Sequence, residues 1–279
     1  MTLTRRQVRD LLAEYGASPR QARGQNFVVD PNTVRRVARL AGVGPGSRVV
    51  EVGAGLGSLT LALAETGASV VAVEVDTRLV GALRSVVSGA AGVTVVESDA
   101  MQLDWVALLD GGSWTLVANL PYNIATPLVA DLLDGVPAIE RMVVMVQAEV
   151  ASRLAAGVGD EAYGAVSVKV GYWADASVVG HVPPTVFWPQ PKVESAIVDI
   201  RRHARQPVGV ARERLFALVA AGFGQRRKML RRSLAGLVGA ECFAAAEVRP
   251  DARAEELDVD AWARLAACSP SAPSLRPPS

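Results

Sequence analysis

The chain has 279 residues, half of them hydrophobic, with 29 Lys and Arg against 28 Asp and Glu. That is enough apolar side chain for one large core and a smaller second one, so two domains are expected. The opening stretch is interrupted by Arg, Asp and Glu throughout, which argues against a signal peptide or membrane span, and two histidines argue against a His-based metal centre or a Ser-His-Asp hydrolase.

In chain order, helices are expected over 5–15 and 32–41, the second with Asp30 as N-cap and Pro31 in its first turn. Residues 48–52 read as a strand, followed by a glycine turn and a helix over 58–65 that Gly67 ends. Further strands are expected at 69–76, 93–99, 114–119 and 141–147, with helices at 79–87 and after Thr126-Pro127. Strands alternating with helices at this spacing predict a parallel, doubly wound α/β sheet.

Residues 163–175 are ambiguous by pattern: Val166, Val168 and Val170 alternate as in a strand, while the flanks suit a helix. Strands at 176–182 and 194–200 then close the sheet as an antiparallel hairpin, across a Pro-rich, non-regular loop. From residue 206 the spacing of Leu215, Phe216, Leu218, Val219, Leu230, Leu234 and Leu237 is helical. The expected domains are therefore 1–205 and an all-α 206–268, with 269–279 a disordered tail. Cys242 and Cys268, in Ala-rich surroundings, read as idle thiols of a reducing, cytoplasmic setting, with no metal.

Near-neutrality conceals a local field. Between 201 and 232, Arg201, Arg202, Arg205, Arg212, Arg214, Arg226, Arg227, Lys228, Arg231 and Arg232 face only Glu213. A helix bearing Arg226, Arg227, Lys228, Arg231 and Arg232 without interspersed acids predicts an RNA-phosphate contact face. Arg5, Arg6, Arg9, Arg20 and Arg23 either extend that patch or serve solubility. Trp173, Trp188 and Trp262 read as packing residues.

The loop "EVGAGLG" puts Gly53, Gly55 and Gly57 directly after the first sheet strand, where glycine permits positive φ and close backbone approach. Its spacing departs from a dinucleotide fingerprint, since Ser58 stands where Gly or Ala is wanted. Glu74 ends the second strand, where an acid takes the hydroxyls of a ribose, and Asp99 ends the third, placed to accept from an adenine amine. Ribose and adenine without the full pyrophosphate fingerprint point to S-adenosylmethionine, with a nicotinamide dinucleotide as the alternative. The arrangement resembles the class I S-adenosylmethionine-dependent methyltransferase fold, which implies that Glu51 and the glycines frame the methionine half.

At the end of the fourth strand, "NLPY" offers acceptors. Asn119 has a side-chain carbonyl, Leu120 a main-chain carbonyl held extended by the following proline, Pro121 no competing N–H, and Tyr122 a stacking ring. Such a set clamps both protons of an adenine amine and favours a pyramidal nitrogen with an available lone pair. Displacement at a methyl carbon then needs proximity and charge rather than a general base.

The stretches "GQNFVVD", "EVGAGLGSLT", "VEVD", "NLPYNIATP", "VPPTVFWPQPKVESAIV" and "FGQRRKMLRRSL" together resemble the ribosomal RNA adenine dimethyltransferase family, specifically its bacterial small-subunit branch, over about residues 20–266. The resemblance implies that Asn26 and Val28 border S-adenosylmethionine together with Gly53, Glu74, Asp99 and Asn119, and that Phe187 faces Tyr122 across the target base. It implies a helix over 163–173 and, as substrate, two adjacent adenosines near the 3′ end of 16S rRNA in the 30S subunit, acted on by a monomer. Val28 departs from the family's usual Leu, a change of packing. Two other functions stay open: a large-subunit rRNA methyltransferase, and an RNA-binding assembly factor with a vestigial site.

Overall fold

The computed structural model describes residues 2–19, 24–204 and 210–268. Helix α1 (Arg5–Glu14) starts in a capping box between Thr4 and Gln7. A two-residue strand β1 (Phe27–Val28) leads to α2 (Pro31–Ala41), whose N-cap Asp30 accepts from Asn32 and Thr33 and whose end is Gly42 in the left-handed region, φ +63°. Then follow β2 (Arg48–Val52), α3 (Ser58–Ala64), β3 (Ser69–Glu74), α4 (Thr77–Val87), β4 (Val93–Glu97), α5 (Trp105–Leu108), β5 (Trp114–Asn119), α6 (Ala125–Gly135), β6 (Ile139–Gln147) and α7 (Ala148–Ala155). The chain continues through α8 (Ala165–Trp173), β7 (Ala174–Val182), β8 (Phe187–Trp188) and β9 (Ser195–Arg202) to α9 (Arg212–Gly224), α10 (Leu230–Ser233), α11 (Ala240–Ala245) and α12 (Val259–Cys268).

The main sheet has seven strands in the order β4-β3-β2-β5-β6-β9-β7. Its first five strands are parallel, and β9 runs antiparallel to β6. Val49, Val50, Leu116, Val117, Ala118 and Met142 to Val146 are all buried, the near-continuous apolar runs of strands covered on both faces. The chain steps from β2 outward to β3 and β4, then returns to β5 beside β2. The carboxyl ends of β2 and β5 therefore flank the switch point where doubly wound sheets bind ligands.

Two arginines lock the sheet to its helices. Arg141 forks onto Asp199 at 2.8 and 3.0 Å, joining β6 to β9, and also donates to the Leu40 and Ala41 carbonyls that end α2. Burial raises the Asp199 carboxyl, but Arg141 and Arg201 beside it outweigh that and hold it below its usual range. Arg202 donates to the Leu132, Leu133, Val136 and Ile139 carbonyls and so caps α6. Arg201 and Arg202 thus serve the sheet, a correction to their placement in the positive field.

The chain divides into two compact units, one of Met1–Leu154 with Ala176–Arg202, the other of Ala155–Asp175 with the residues from His203 onward. Residues 155–175 accordingly pack with the C-terminal helices, although the expected boundary puts them in the first domain. The ambiguous segment is helix α8, buried on several sides through Val168, Val170, Tyr172 and Trp173. Within the second unit Tyr172 meets Phe216 edge-on at 5.2 Å, and Tyr163 donates to the Leu257 carbonyl at 2.9 Å. Trp262 is wholly buried against Gly222, where an added Cβ would stand 2.6 Å from the indole, so only glycine lets the ring approach α9. The tail 269–279 lies outside the described residues.

Candidate active site

A cleft opens at the carboxyl ends of β2, β3 and β5, lined by Asn26, Val28, Glu51, Gly53, Gly55, Glu74, Asp99, Asn119 and Pro121 among others. Gly53 and Gly55 take φ +71° and +59°, and both turn backbone toward the cleft. Gly57, expected as a third cofactor contact, does not line it. An added Cβ there would stand 2.9 Å from Leu83 and 3.3 Å from Val87, so its glycine serves the packing of the loop on α4.

Glu74 ends β3 nearly buried. Its Oε2 accepts from the Gly55 N–H at 2.8 Å, and its Oε1 accepts from those of Val75 and Asp76 at 3.0 and 2.9 Å. Burial nevertheless raises its carboxyl above the usual range, and the Asp76 charge adds to this. The anchored carboxylate fixes the rim of the glycine loop at the carboxyl end of β3, the position where nucleotide-binding folds of this kind carry an acid for a ribose. Asp99, two residues past β4, accepts from the Met101 N–H at 2.9 Å and lines the same cleft. At the cleft floor Glu51, fully buried, accepts from the Thr60 hydroxyl at 2.6 Å. Burial pushes it up to about 8, against the lowering effect of Thr60 and with a further push from Glu74.

The Asn119 amide nitrogen donates to the Asn26 main-chain carbonyl at 3.1 Å. Asn26 in turn donates its own amide to the Gly24 carbonyl at 3.2 Å, and Gly24 lies so close to Tyr122 that an added Cβ would be 3.1 Å from the Tyr122 nitrogen. Leu120 is buried and donates its N–H to Met145 at 3.0 Å. Among the described residues nothing donates to the Asn119 side-chain oxygen or the Leu120 carbonyl; Asn119 and Pro121 line the cleft, while Leu120 and Tyr122, expected at the site with them, are not among its lining residues. The Tyr122 hydroxyl lies 3.1 Å from Ser195 Oγ.

Phe187 is placed differently from its expectation. Its segment, expected as non-regular loop, contains β8, which pairs antiparallel with β1, Val28 opposite Phe187 and Phe27 opposite Trp188. The ring is wholly buried in the core with Val28, Val117, Met145 and Ile197, and among the described residues it makes no ring contact with Tyr122. Ser195, Thr60 and the helix-capping Asp76 do not stand out in the sequence as site residues. Asp76 alone carries a signal, as an Asp directly before a helical run.

In the second unit the basic segment is not one helix: Arg226, Arg227 and Lys228 lie in turns, and only Arg231 and Arg232 lie on a helix. Residues 225–229 form turns between α9 and α10, Leu230 and Leu234 are buried, and Leu237 is exposed. Arg226 is committed, its Nε to Glu255 at 2.6 Å and its Nη2 to the Glu161 carbonyl at 3.0 Å. Arg227, Lys228, Arg231 and Arg232 are exposed and have no acidic partner among the described residues. In the first unit, Arg5 donates to the Thr185 carbonyl and Arg6 pairs with Asp10. Arg20, Arg23 and Arg205 lie outside the described residues. No described helix is long and apolar enough to cross a membrane.

Comparison with known proteins agrees with this geometry. The family model described as ribosomal RNA adenine dimethylase matches residues 16–269. The ribosomal RNA small subunit methyltransferase A of Thermobifida fusca is 47% identical over 274 residues, covering 95% of each chain. A dimethyladenosine transferase from Plasmodium falciparum superposes with a TM-score of 0.73 at 22% identity, over 86% of this chain and 98% of that one. The 23S rRNA methyltransferase ErmE does so with a TM-score of 0.68 at 28% identity, over 87% and 98%. The fold is that of the class I methyltransferases, and the chain belongs to the ribosomal RNA adenine dimethylase family.

Proposed function

We propose that this protein dimethylates the N6 amines of two adjacent adenosines near the 3′ end of 16S rRNA, on the small ribosomal subunit, as a step of ribosome biogenesis. The observation that carries the reading is the commitment of the Asn119 amide nitrogen to Asn26, which leaves the side-chain oxygen of this cleft-lining residue with no donor among the described residues. Two acceptors and no donor suit an amine with two protons to give. S-adenosylmethionine would supply the methyl group, held by Glu74, Asp99 and the Gly53 and Gly55 backbone, with Glu51 beneath.

Asn119 Oδ1 and the Leu120 carbonyl draw both amine protons and localise the nitrogen lone pair. Tyr122 offers a ring for the base, an interaction worth about 1–3 kcal/mol. Arg227, Lys228, Arg231 and Arg232 supply phosphate contacts that position the RNA without reading its sequence. The small-subunit relative at 47% identity favours that target over the large-subunit alternative, represented at 28%. The intact clamp disfavours a vestigial site.

The test offers labelled S-adenosylmethionine with small subunits from a strain lacking the modification, and separately with large-subunit RNA. N6,N6-dimethyladenosine should appear in digests of the small-subunit RNA alone. Its absence there, or its appearance only in large-subunit RNA, would sink the reading.

A further inference from the structure

Ser195 is a polar side chain with no solvent exposure, at the first position of β9. Because β9 runs antiparallel to β6, its beginning lies at the carboxyl edge of the parallel strands, with Ser195 opposite Gln147 where β6 ends. The topology therefore delivers one buried hydroxyl to the edge that carries the acceptor clamp. Its Oγ is 3.1 Å from the Tyr122 hydroxyl, and neither hydroxyl has another partner among the described residues.

The Tyr122 backbone is already fixed. Leu120 is tied to Met145, and the Ile124 and Ala125 N–H groups both donate to the Pro121 carbonyl, starting α6. What remains free is rotation of the side chain, and among the described residues the hydrogen bond to Ser195 is the one that holds its far end. Burial accounts for part of the restraint, but the ring is only half-buried.

We propose that Ser195 is a positioning residue: by holding the Tyr122 hydroxyl it fixes the plane on which the acceptor base rests, and so aligns the amine with the Asn119 and Leu120 oxygens. The inference rests on the adenine-methylating reading above. Stacking tolerates sliding and rotation of the base, whereas transfer needs one alignment of nitrogen and methyl carbon. Removing the Ser195 hydroxyl should therefore act on turnover and leave binding almost untouched.

The test compares the full-length wild type with Ser195→Ala, Tyr122→Phe and the double variant. It uses single-turnover methyl transfer to unmodified small subunits and, in parallel, calorimetric binding of S-adenosylmethionine. Losing one neutral hydrogen bond predicts a fall in transfer rate of about three- to tenfold for Ser195→Ala, with cofactor affinity within about twofold of wild type. In the Tyr122→Phe background the same substitution should change nothing further, because the hydrogen bond is already gone. A merely structural Ser195 would slow both backgrounds alike, and that result overturns the proposal, as does a wild-type rate for Ser195→Ala. Should Ser195→Ala fail to fold by circular dichroism, Tyr122→Phe breaks the same hydrogen bond from its less buried side and must show the same loss; full activity there overturns it. A wild type inactive on small subunits overturns the functional reading and this inference together, while an active wild type with unaffected variants overturns the inference alone.

Discussion

Asn119 and Asn26, 93 positions apart in sequence, are joined by an amide-to-carbonyl hydrogen bond of 3.1 Å. The segment before β1 thus holds the nitrogen end of the Asn119 carboxamide. Under the proposed function, Asn119→Ala removes an acceptor for the reacting amine, and such groups contribute roughly 10²–10³ in rate. Single-turnover transfer should fall by about that factor while RNA binding, measured by filter retention, stays near wild type. Equal loss of both would show that Asn119 holds RNA or the fold rather than the reacting amine.

Glu51 makes the stability of the cofactor-free protein depend on pH in a direction opposite to that of a salt-bridged acid. With its carboxyl pushed up to about 8 by burial, the folded chain keeps a proton there that the unfolded chain releases near its ordinary value of 4.5. Folded protein then binds more protons than unfolded, so the Glu51 contribution is full below the unfolded value and is lost as pH rises toward 8. Glu74, also raised, acts with the same sign. Glu51→Gln keeps an acceptor for Thr60 without a titrating proton. Melting temperatures between about pH 5.5 and 8 should fall less steeply for the variant than for wild type, and parallel curves would rule the ionisation out.

Much of this is legible in the residues. The central parallel strands β2, β5 and β6 are readable because strands covered on both faces are apolar at nearly every position, and glycine turns and end acids such as Glu74 punctuate the series. The β1–β8 ribbon is not, because two-residue strands carry no periodicity and their pairing joins positions 159 and 161 apart. Gly57 misleads because approach to a ligand and approach to Leu83 ask for the same residue. The Ser195–Tyr122 hydrogen bond and the Arg226–Glu255 pair are products of topology, invisible in local charge or pattern. Helix α8 is ambiguous in sequence because its buried residues lie on several sides, which erases the helical stripe.

Glu247 marks a place where the fold is not optimised. It follows α11 with φ +56°, the one non-glycine left-handed residue among those described, and its N–H donates to Ala244 while that of Val248 donates to Phe243. This is the paired closure of a helix C-terminus that favours glycine. Glu247→Gly should therefore stabilise the protein by about 0.5–1 kcal/mol, the strain relieved less the added freedom of the unfolded chain. Urea melts with an unchanged denaturant slope would register it as a rise in midpoint. A fall would mean that the Glu247 side chain contributes more than its backbone costs.

The basic segment should separate into two kinds of cation. Arg226, bound to Glu255 and the Glu161 carbonyl, ties the turn after α9 to residues on either side of it. Arg227 and Arg231 are exposed and have no acidic partner among the described residues. Replacing Arg227 and Arg231 with Ala should reduce the log–log salt slope of RNA binding by about 0.7–0.9 for each phosphate no longer neutralised, with no change in melting temperature. Arg226→Ala should do the reverse, lowering stability through the loss of its pair while leaving the slope near wild type. The pair is partly exposed and its contribution is modest, so the contrast between the variants is the decisive quantity. If Arg226→Ala flattens the slope as much as Arg227→Ala does, the ion pair opens on RNA binding and all the cations act together. If none of them changes it, the RNA surface lies elsewhere.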